Sequence, residues 1–257
     1  MSTRTVFITG AAAGIGRATA LRFAADGFHV GAYDVDAVGL QSLAHEIAAT
    51  GATVRTGLLD VTVPSQWESA LDEFHGDHAR LDVLINNAGI LSSGDFAEIP
   101  LAAQHKIVDV NVNGVITGLF TASKYLAEGS VAVNLCSASA IYGQPELATY
   151  GASKAAVRSL TEALDQEWAG RGIRVIAIWP SFVRSAMTDT MNIPSIRRLG
   201  IRLGPDDVAD GIWRAVHDRP LLGRVHYEIG LHAKALAPAV KFSPNWLVRR
   251  VNRALGT

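Results

Sequence analysis

The stretch Thr5-Val-Phe-Ile-Thr-Gly-Ala-Ala-Ala-Gly-Ile-Gly16 decides how the rest of the chain is read. Residues 5–9 make a short apolar strand, which breaks at a run carrying Gly10, Gly14, Ile15 and Gly16. A helical pattern follows through Ala18, Leu21, Phe23 and Ala24. A glycine-rich turn between a strand and a helix lets the backbone approach a pyrophosphate, whose charge then meets the helix N-terminus. The glycines alone are weak, since a tight turn that binds nothing has the same pattern. A second strand at 28–33 strengthens the reading, because it ends at Asp34. That is about where a carboxylate would accept from a ribose 2′-hydroxyl, roughly 20 residues on. The carboxylate would repel the 2′-phosphate of NADP, and neither Ala13 nor Val35 supplies a positive charge to rescue it. NAD is the expected cofactor.

The rhythm of strand and helix continues outward. Residues 37–50 have helical spacing through Leu40, Leu43 and Ile47, and 52–59 form a strand that ends at Asp60 and Val61. Pro64 suits the first turn of a helix that is expected to run to about residue 79. A buried strand at 81–85 stops at Asn86-Asn87-Ala88-Gly89, which serves either a site at the sheet's edge or an ordinary turn. Residues 101–127 are expected to form one long helix carrying Asn111 and Asn113. Amides are mildly unfavourable inside helices, and Asn111 would open this one if it bonded a backbone carbonyl instead. A helix at 153–170 has small residues on one side (Ala155, Ala156, Ser159, Ala163), to lie against its own sheet or a second subunit. The strand at 173–178 is closed by Trp179-Pro180-Ser181, and 182–202, with weak periodicity, reads as a substrate lid. Pro205-Asp206-Asp207 opens another helix with acids in its first turn, and 225–229 is the last strand. Alternating strands and helices predict the α/β class: a single doubly wound parallel sheet, a Rossmann fold, with helices on both faces. The expected division is a domain at 1–230 and an extension at 231–257.

The chemistry-bearing residues cluster in Ser137-Ala-Ser-Ala-Ile-Tyr-Gly-Gln-Pro-Glu-Leu-Ala-Thr-Tyr-Gly-Ala-Ser-Lys154. Tyr150 and Lys154 are four residues apart in a helix-favouring run, so their side chains share a face. A phenol, with a reference pKa of about 10, is a poor acid or base near neutrality. A nearby ammonium favours the phenolate and brings tyrosine toward general acid–base work. Ser137 follows the apolar run 131–136 and can face the same point from a strand's carboxyl end.

Composition sets bounds. The 257 residues are 49% hydrophobic and 18% charged, as a sheet covered on both faces requires. A formal net charge of −1 gives nothing that steers the chain to nucleic acid. A single cysteine, Cys136, excludes an intramolecular disulfide. The histidines lack metal-ligand spacing, so no metal is expected. No signal peptide or spanning run is read in the sequence, and a soluble cytoplasmic protein is the expectation.

Together these motifs resemble the short-chain dehydrogenase/reductases, over nearly the whole chain to about residue 229. The run from Thr9 to Gly16 is similar to that family's cofactor motif and Asn86-Asn87-Ala88-Gly89 to its sheet-stabilising motif. Asn111, Ser137, Tyr150 and Lys154 fall at its catalytic tetrad, with Ser137 thirteen residues before the tyrosine and Ser139 as a rival. The resemblance implies reversible oxidation of a secondary alcohol by NAD. Tyr150 would transfer the proton, and Lys154 would lower its pKa and hold the nicotinamide ribose. Ser137 would bond the substrate oxygen, and Asn111 would hold a relay water. It further places Asp60 and Val61 by the adenine, Asn87, Ala88 and Gly89 by the adenosine ribose, and Pro180, Val183 and Ser185 by the nicotinamide. Thr188 is a rival of Ser185 for the carboxamide. Ser137, Ser139, Gln144, Tyr150, Phe182 and Met187 would meet substrate. With Ile141, Tyr142, Leu147 and Met191 also on the presumed wall, an apolar or bulky alcohol or ketone is expected. The family's usual Pro-Gly after its sixth strand is Pro180-Ser181 here. A homo-oligomer, tetramer or dimer, is implied.

The tail after Gly230 lies outside that resemblance. Lys241, Arg249, Arg250 and Arg253 stand among Val240, Phe242, Trp246, Leu247, Val248, Val251 and Leu255. Such a segment can lie on a membrane surface, close over a neighbouring subunit, or dock as a helix with a solvated face; packing against protein is the expectation. The competing reading of the whole chain is a non-catalytic dinucleotide sensor on the same fold.

Overall fold

The computed structural model describes residues 3–76, 80–185, 188, 200–219 and 223–256. Its centre is a seven-stranded sheet in the order β3-β2-β1-β4-β5-β6-β7, with every pairing parallel. The strands are β1 (Thr5–Thr9), β2 (His29–Asp34), β3 (Val54–Leu58), β4 (Leu81–Asn86), β5 (Leu126–Leu135), β6 (Arg174–Pro180) and β7 (His226–Ile229). Helices connect them: α1 (Gly14–Ala25), α2 (Ala37–Ala49), α3 (Pro64–His75), α4 (Leu101–Val108), α5 (Gly114–Ala122), α6 (Ala148–Ala169) and α7 (Pro205–His217). The tail adds α8 (Leu231–Phe242) and α9 (Asn245–Gly256).

β1 is buried along its whole length, because helices cover both faces of a parallel sheet. Its side chains alternate between two cores, as the two-residue strand period requires. Val6 and Ile8 join Phe23, Leu43, Ile47 and Ile212. Phe7 joins Tyr33, Trp67, Leu71 and Leu119. The order turns at β1 and β4, whose outgoing connections go to opposite sides and open a crevice at the strands' carboxyl ends.

The long helix expected at 101–127 is instead broken. α4 ends at Val108, Asp109–Asn113 make a π-helical turn, α5 ends at Ala122, and β5 begins at Leu126. The cause is Asn111, which is fully buried. Its Nδ2 donates to the Ile90 carbonyl at 2.8 Å and its Oδ1 accepts from the Ile90 N–H at 2.8 Å. A side chain tethered to the loop after β4 draws one extra residue into the turn, the usual origin of a π-bulge at a functional position. α6 starts at Ala148 rather than 153, which puts Tyr150 in its first turn. α3 stops at His75, where the chain reverses at Gly76, and 77–79 lie outside the described residues.

The expected lid at 182–202 falls largely on 186, 187 and 189–199, outside the described residues. At its two ends, Val183 bridges Leu203 and the Arg184 N–H donates to the Leu203 carbonyl at 2.9 Å. In the tail, α8 packs against β7 and the 138–140 turn. On α9, Val248 is buried while Trp246, Arg249, Arg250 and Arg253 are exposed. No helix among the described residues is long and apolar enough to cross a membrane.

A buried polar ladder ties β4 to β5 and α6. Asn86 Nδ2 donates to Asn134 Oδ1 at 2.9 Å, and Asn134 Nδ2 to Thr161 Oγ1 at 3.0 Å. Replacing Thr161 by valine keeps the shape and strands the Asn134 amide without its acceptor. Thr161→Val is therefore expected to cost about 1–3 kcal/mol, read as a lower denaturant midpoint at unchanged slope.

Candidate active site

The crevice is built first from backbone. α1 begins beneath Gly10–Gly14 with Ala13 at its N-cap, and no side chain caps its first turn. Its leading N–H groups therefore remain available to an anion. A methyl at Gly16 would stand 2.0 Å from the Gly10 carbonyl oxygen, so only glycine lets the turn fold this tightly. Asn87 fastens the turn from the neighbouring strand. Its Nδ2 donates to the carbonyls of Thr9 and Gly10, each at 2.9 Å, while the N–H groups of Asn87 and Ala88 donate to Thr9 Oγ1 at 3.1 Å. At the end of β2, Asp34 Oδ2 accepts from the Ala12 N–H at 3.0 Å and Oδ1 from the Asp36 N–H at 3.1 Å. Those bonds aim the carboxylate and leave each oxygen lone pairs for a diol. An uncapped helix start, a glycine cradle and an aimed carboxylate fit a dinucleotide.

A cavity of about 520 Å3 runs from this cradle across the strand ends. Gly10, Gly14, Ile15, Asp34, Asp60, Val61, Asn87, Ala88 and Gly89 line one part of it. Ser137, Ser139, Gln144, Leu147, Tyr150, Lys154, Pro180, Phe182, Val183, Ser185 and Thr188 line the other. Ser137 leaves β5 and its Oγ accepts from the Ser139 N–H at 3.2 Å. The Ser139 hydroxyl is buried with no partner among the described residues, so Ser137 is the more open hydroxyl. Lys154 is only 4% exposed, and its Nζ donates to the Leu135 carbonyl at 2.7 Å.

The electrostatics correct one expectation. Burial pushes the Tyr150 phenol up to about 12, with a hydrogen bond to Ser137 pulling the other way. Burial also lowers Lys154, since it opposes the charged amine. Lys154 Nζ lies 5.7 Å from the centre of the Tyr150 ring and spends its hydrogen bond on Leu135. In the protein alone, then, the lysine does not bring the phenol down.

Some sequence candidates stand off the wall. Gly16 works behind the cradle, and Asn111 is buried behind Gly89, bonded to Ile90 and, through Nδ2, to Ser153 Oγ at 3.1 Å. Ile141 packs with Cys136 and Trp179 instead of the cavity, and Tyr142 is likewise absent from its lining. Met187 and Met191 lie outside the described residues. Conversely, Leu91, Lys106 and His232 line the cavity without having been singled out. Lys106 was findable, since it shares a helix face with Val110 across the turn that carries Asn111. His232 follows the carboxyl end of β7, where the strand-end rule points if applied to every strand.

Fold and site together define a dinucleotide-binding α/β oxidoreductase. The family model of the short chain dehydrogenases matches residues 4–194, and the chain belongs to that family. It is 36% identical over 187 residues to a 3-oxoacyl-[acyl-carrier-protein] reductase of Thermotoga maritima, covering 72% of this chain and 76% of the relative. It is 32% identical over 230 residues to a probable oxidoreductase, EphD, of Mycobacterium tuberculosis, covering 82% of this chain but only 39% of that longer protein. Among solved structures, a short-chain dehydrogenase/reductase of Burkholderia phymatum in complex with NAD superposes with a TM-score of 0.83 at 26% identity, covering 92% of each chain. A blue fluorescent protein from a metagenomic library in complex with NADPH superposes at 0.76 and 26% identity, covering 82% of this chain and 89% of that one.

A phenol held near 12 is protonated wherever free tyrosine ionises, near 10. The raised value favours the neutral form in the fold, so its contribution to stability is present below about 10 and lost as pH rises from there to about 12. Alkaline difference absorbance of the cofactor-free protein against Tyr150→Phe should therefore show no Tyr150 phenolate until pH passes 10. A phenolate signal below that would overturn the assignment.

Proposed function

We propose that the chain is an NAD-dependent oxidoreductase that interconverts a secondary alcohol and a ketone. The observation that carries this reading is the meeting of Ser137, Tyr150 and Lys154 on one wall of the cavity whose other end holds Asp34. The nicotinamide of the bound cofactor supplies or accepts the hydride. In reduction Tyr150 Oη gives its proton to the carbonyl oxygen, and in oxidation it takes the alcohol's proton. Ser137 Oγ donates a hydrogen bond to the same oxygen and so orients it. Lys154 Nζ lies 5.7 Å from the centre of the Tyr150 ring. Its ammonium, steadied by the Leu135 carbonyl, would meet the charge formed on the phenol once cofactor and substrate fill the cavity, a state distinct from the protein alone. Asn111, whose amide is bonded to Ile90 at both ends, would hold a relay water beyond Lys154.

NAD is favoured over NADP by the local charges. Asp34 would face a 2′-phosphate at short range. Arg17, a neighbouring cation, is committed to Glu46 at 2.5 Å and to Ser42 Oγ at 3.3 Å, away from the lining. The substrate body is apolar, as Leu91, Leu147 and Phe182 in the wall support. A homo-oligomer is part of the proposal. Phe120 is 80% exposed and Ile116 45% on α5, and α6 exposes Ala152, Ala155, Ala156, Ser159 and Ala163 nearby. An apolar, closely approachable face of that kind suits a second copy of the chain.

The alternative, a dinucleotide sensor, does not need a proton donor facing the cavity. Tyr150→Phe is expected to lower ketone reduction by at least about a thousandfold, in the range of general acid catalysis, with NADH affinity within a fewfold of the parent. Retained turnover would remove the phenol from its role, and NADH binding without turnover of any ketone by the parent would favour the sensor. Asp34→Ala is expected to weaken NADH binding by about tenfold, the loss of a charge-assisted bond, while NADPH binding improves. Unchanged preference would sink the ribose assignment.

A further inference from the structure

We propose that His232 is a substrate-positioning residue that gives a hydrogen bond to a second oxygen, one the substrate carries away from its reacting carbon. The inference rests on the reading of this cavity as a site for secondary alcohols and ketones, and it names the kind of substrate.

The cavity's ionisable side chains sort by place. Asp34 and Asp60 stand at the ends of β2 and β3, and Lys106 acts on Asp60. Cys136, Tyr150 and Lys154 belong to the β5–α6 wall. His232 comes from neither group. It lies in the first turn of α8, which packs against β7 and the 138–140 turn that follows Ser137. His232 thus lines the cavity from a helix that packs against the turn following Ser137. Leu91, Ala138, Leu147, Phe182 and Ala233 line the same cavity, and Leu91, Leu147 and Phe182 pack with Tyr150. The histidine is half-buried, and its ring has no hydrogen-bond partner among the described residues. A substrate that displaces water from this ring must bond it in the water's place or leave it unpaired at a cost.

Its position is fixed by a specific contact. Gly230, at φ +91°, turns the chain from β7 into α8, and a methyl there would stand 2.8 Å from Ser181 Oγ and 3.0 Å from Leu203 Cδ1. The Ser181 N–H donates to the Ile229 carbonyl at 3.2 Å, and the Lys234 N–H to the Gly230 carbonyl at 3.1 Å. The loop after β6, which lines the cavity with Pro180 and Ser181, thus holds the turn that aims His232. This histidine lies beyond residues 4–194, the part matched by the family model.

The chemistry then selects the substrate. Ser137 and Tyr150 both address the reacting oxygen, so a simple ketone leaves His232 unpaired. An apolar oxo or hydroxy compound with a further carbonyl, ester or carboxylate oxygen satisfies it. A site built to bond a polar group discriminates strongly against the analogue that lacks it.

The test is steady-state reduction with NADH of 4-nonanone and of ethyl 3-oxohexanoate, equal in chain length, with keto esters whose ester lies one and two carbons further away. The parent is expected to prefer at least one keto ester over 4-nonanone. His232→Phe keeps a ring and loses the donor. It should raise KM for that ester by about fivefold to tenfold, change kcat little, and leave 4-nonanone and the thermal midpoint unaltered. His232→Asn, which keeps an N–H donor, should recover part of the loss. A parent without preference for any keto ester, or equal losses on ester and ketone in His232→Phe, overturns the role of His232 alone. Failure of the parent to reduce any of these ketones while binding NADH overturns the underlying reading, and this inference with it.

Discussion

The structure depends on one constraint: every backbone polar group at the centre of a parallel sheet must be paired, so the strands' loose ends are where free groups gather. At β1 and β4 that constraint is met by side chains. Asn87 occupies the carbonyls of Thr9 and Gly10, and Thr9 Oγ1 receives two N–H groups in return. The staple holds the Gly10–Gly16 turn against the next strand and leaves only the first N–H groups of α1 without a capping side chain. Anion binding at that point follows from what the staple leaves over. The same logic explains Asp34, whose carboxylate is oriented by two backbone N–H groups before any ligand arrives.

The second half of the site uses buried side chains to a similar end. Asn111 gives up its place in a regular helix to bond Ile90 twice, and through Ser153 it touches the backbone of Tyr150. The π-helical turn and the start of α6 are thus one assembly. Lys154 is buried and held by Leu135, at the end of β5. Burial pushes the Tyr150 phenol toward its neutral form. Charge that develops on the phenol must be met inside the cavity, where an ammonium is worth far more than in water.

The parallel sheet, its strand ends and the wall residues were legible because they are written in local patterns. Apolar runs stop at Asp34, Asp60, Asn86, Ser137 and Pro180, and glycines mark the close approach of backbone. What was not legible depends on tertiary partners. No local signal in 101–127 says that Asn111 will be met by Ile90, so the break in the helix and the early start of β5 were missed. The direction of the Tyr150 shift was also hidden. Spacing shows that Tyr150 and Lys154 share a helix face, but how deeply each is buried, and that Leu135 takes the amine, belongs to packing. His232 was missed for a third reason: the tail was read as a pattern of charge, when its first turn matters for where β7 delivers it.

That last point separates reaction from specificity in the molecule. Groups that move a proton must be held rigidly, and those proposed for that work here sit just past β5 and on α6, within the residues matched by the family model. The groups proposed to meet the rest of a substrate line the cavity from beyond the ends of β4, β6 and β7, as Leu91, Phe182 and His232 do. Loops past strand ends can vary without disturbing the two cores. A serine at 181 illustrates the coupling between these layers. It lines the cavity, and its hydroxyl lies against Gly230, whose backbone turn launches α8. Through Gly230, a change at Ser181 is therefore felt at the helix turn that carries His232, the residue proposed to read the substrate's far end.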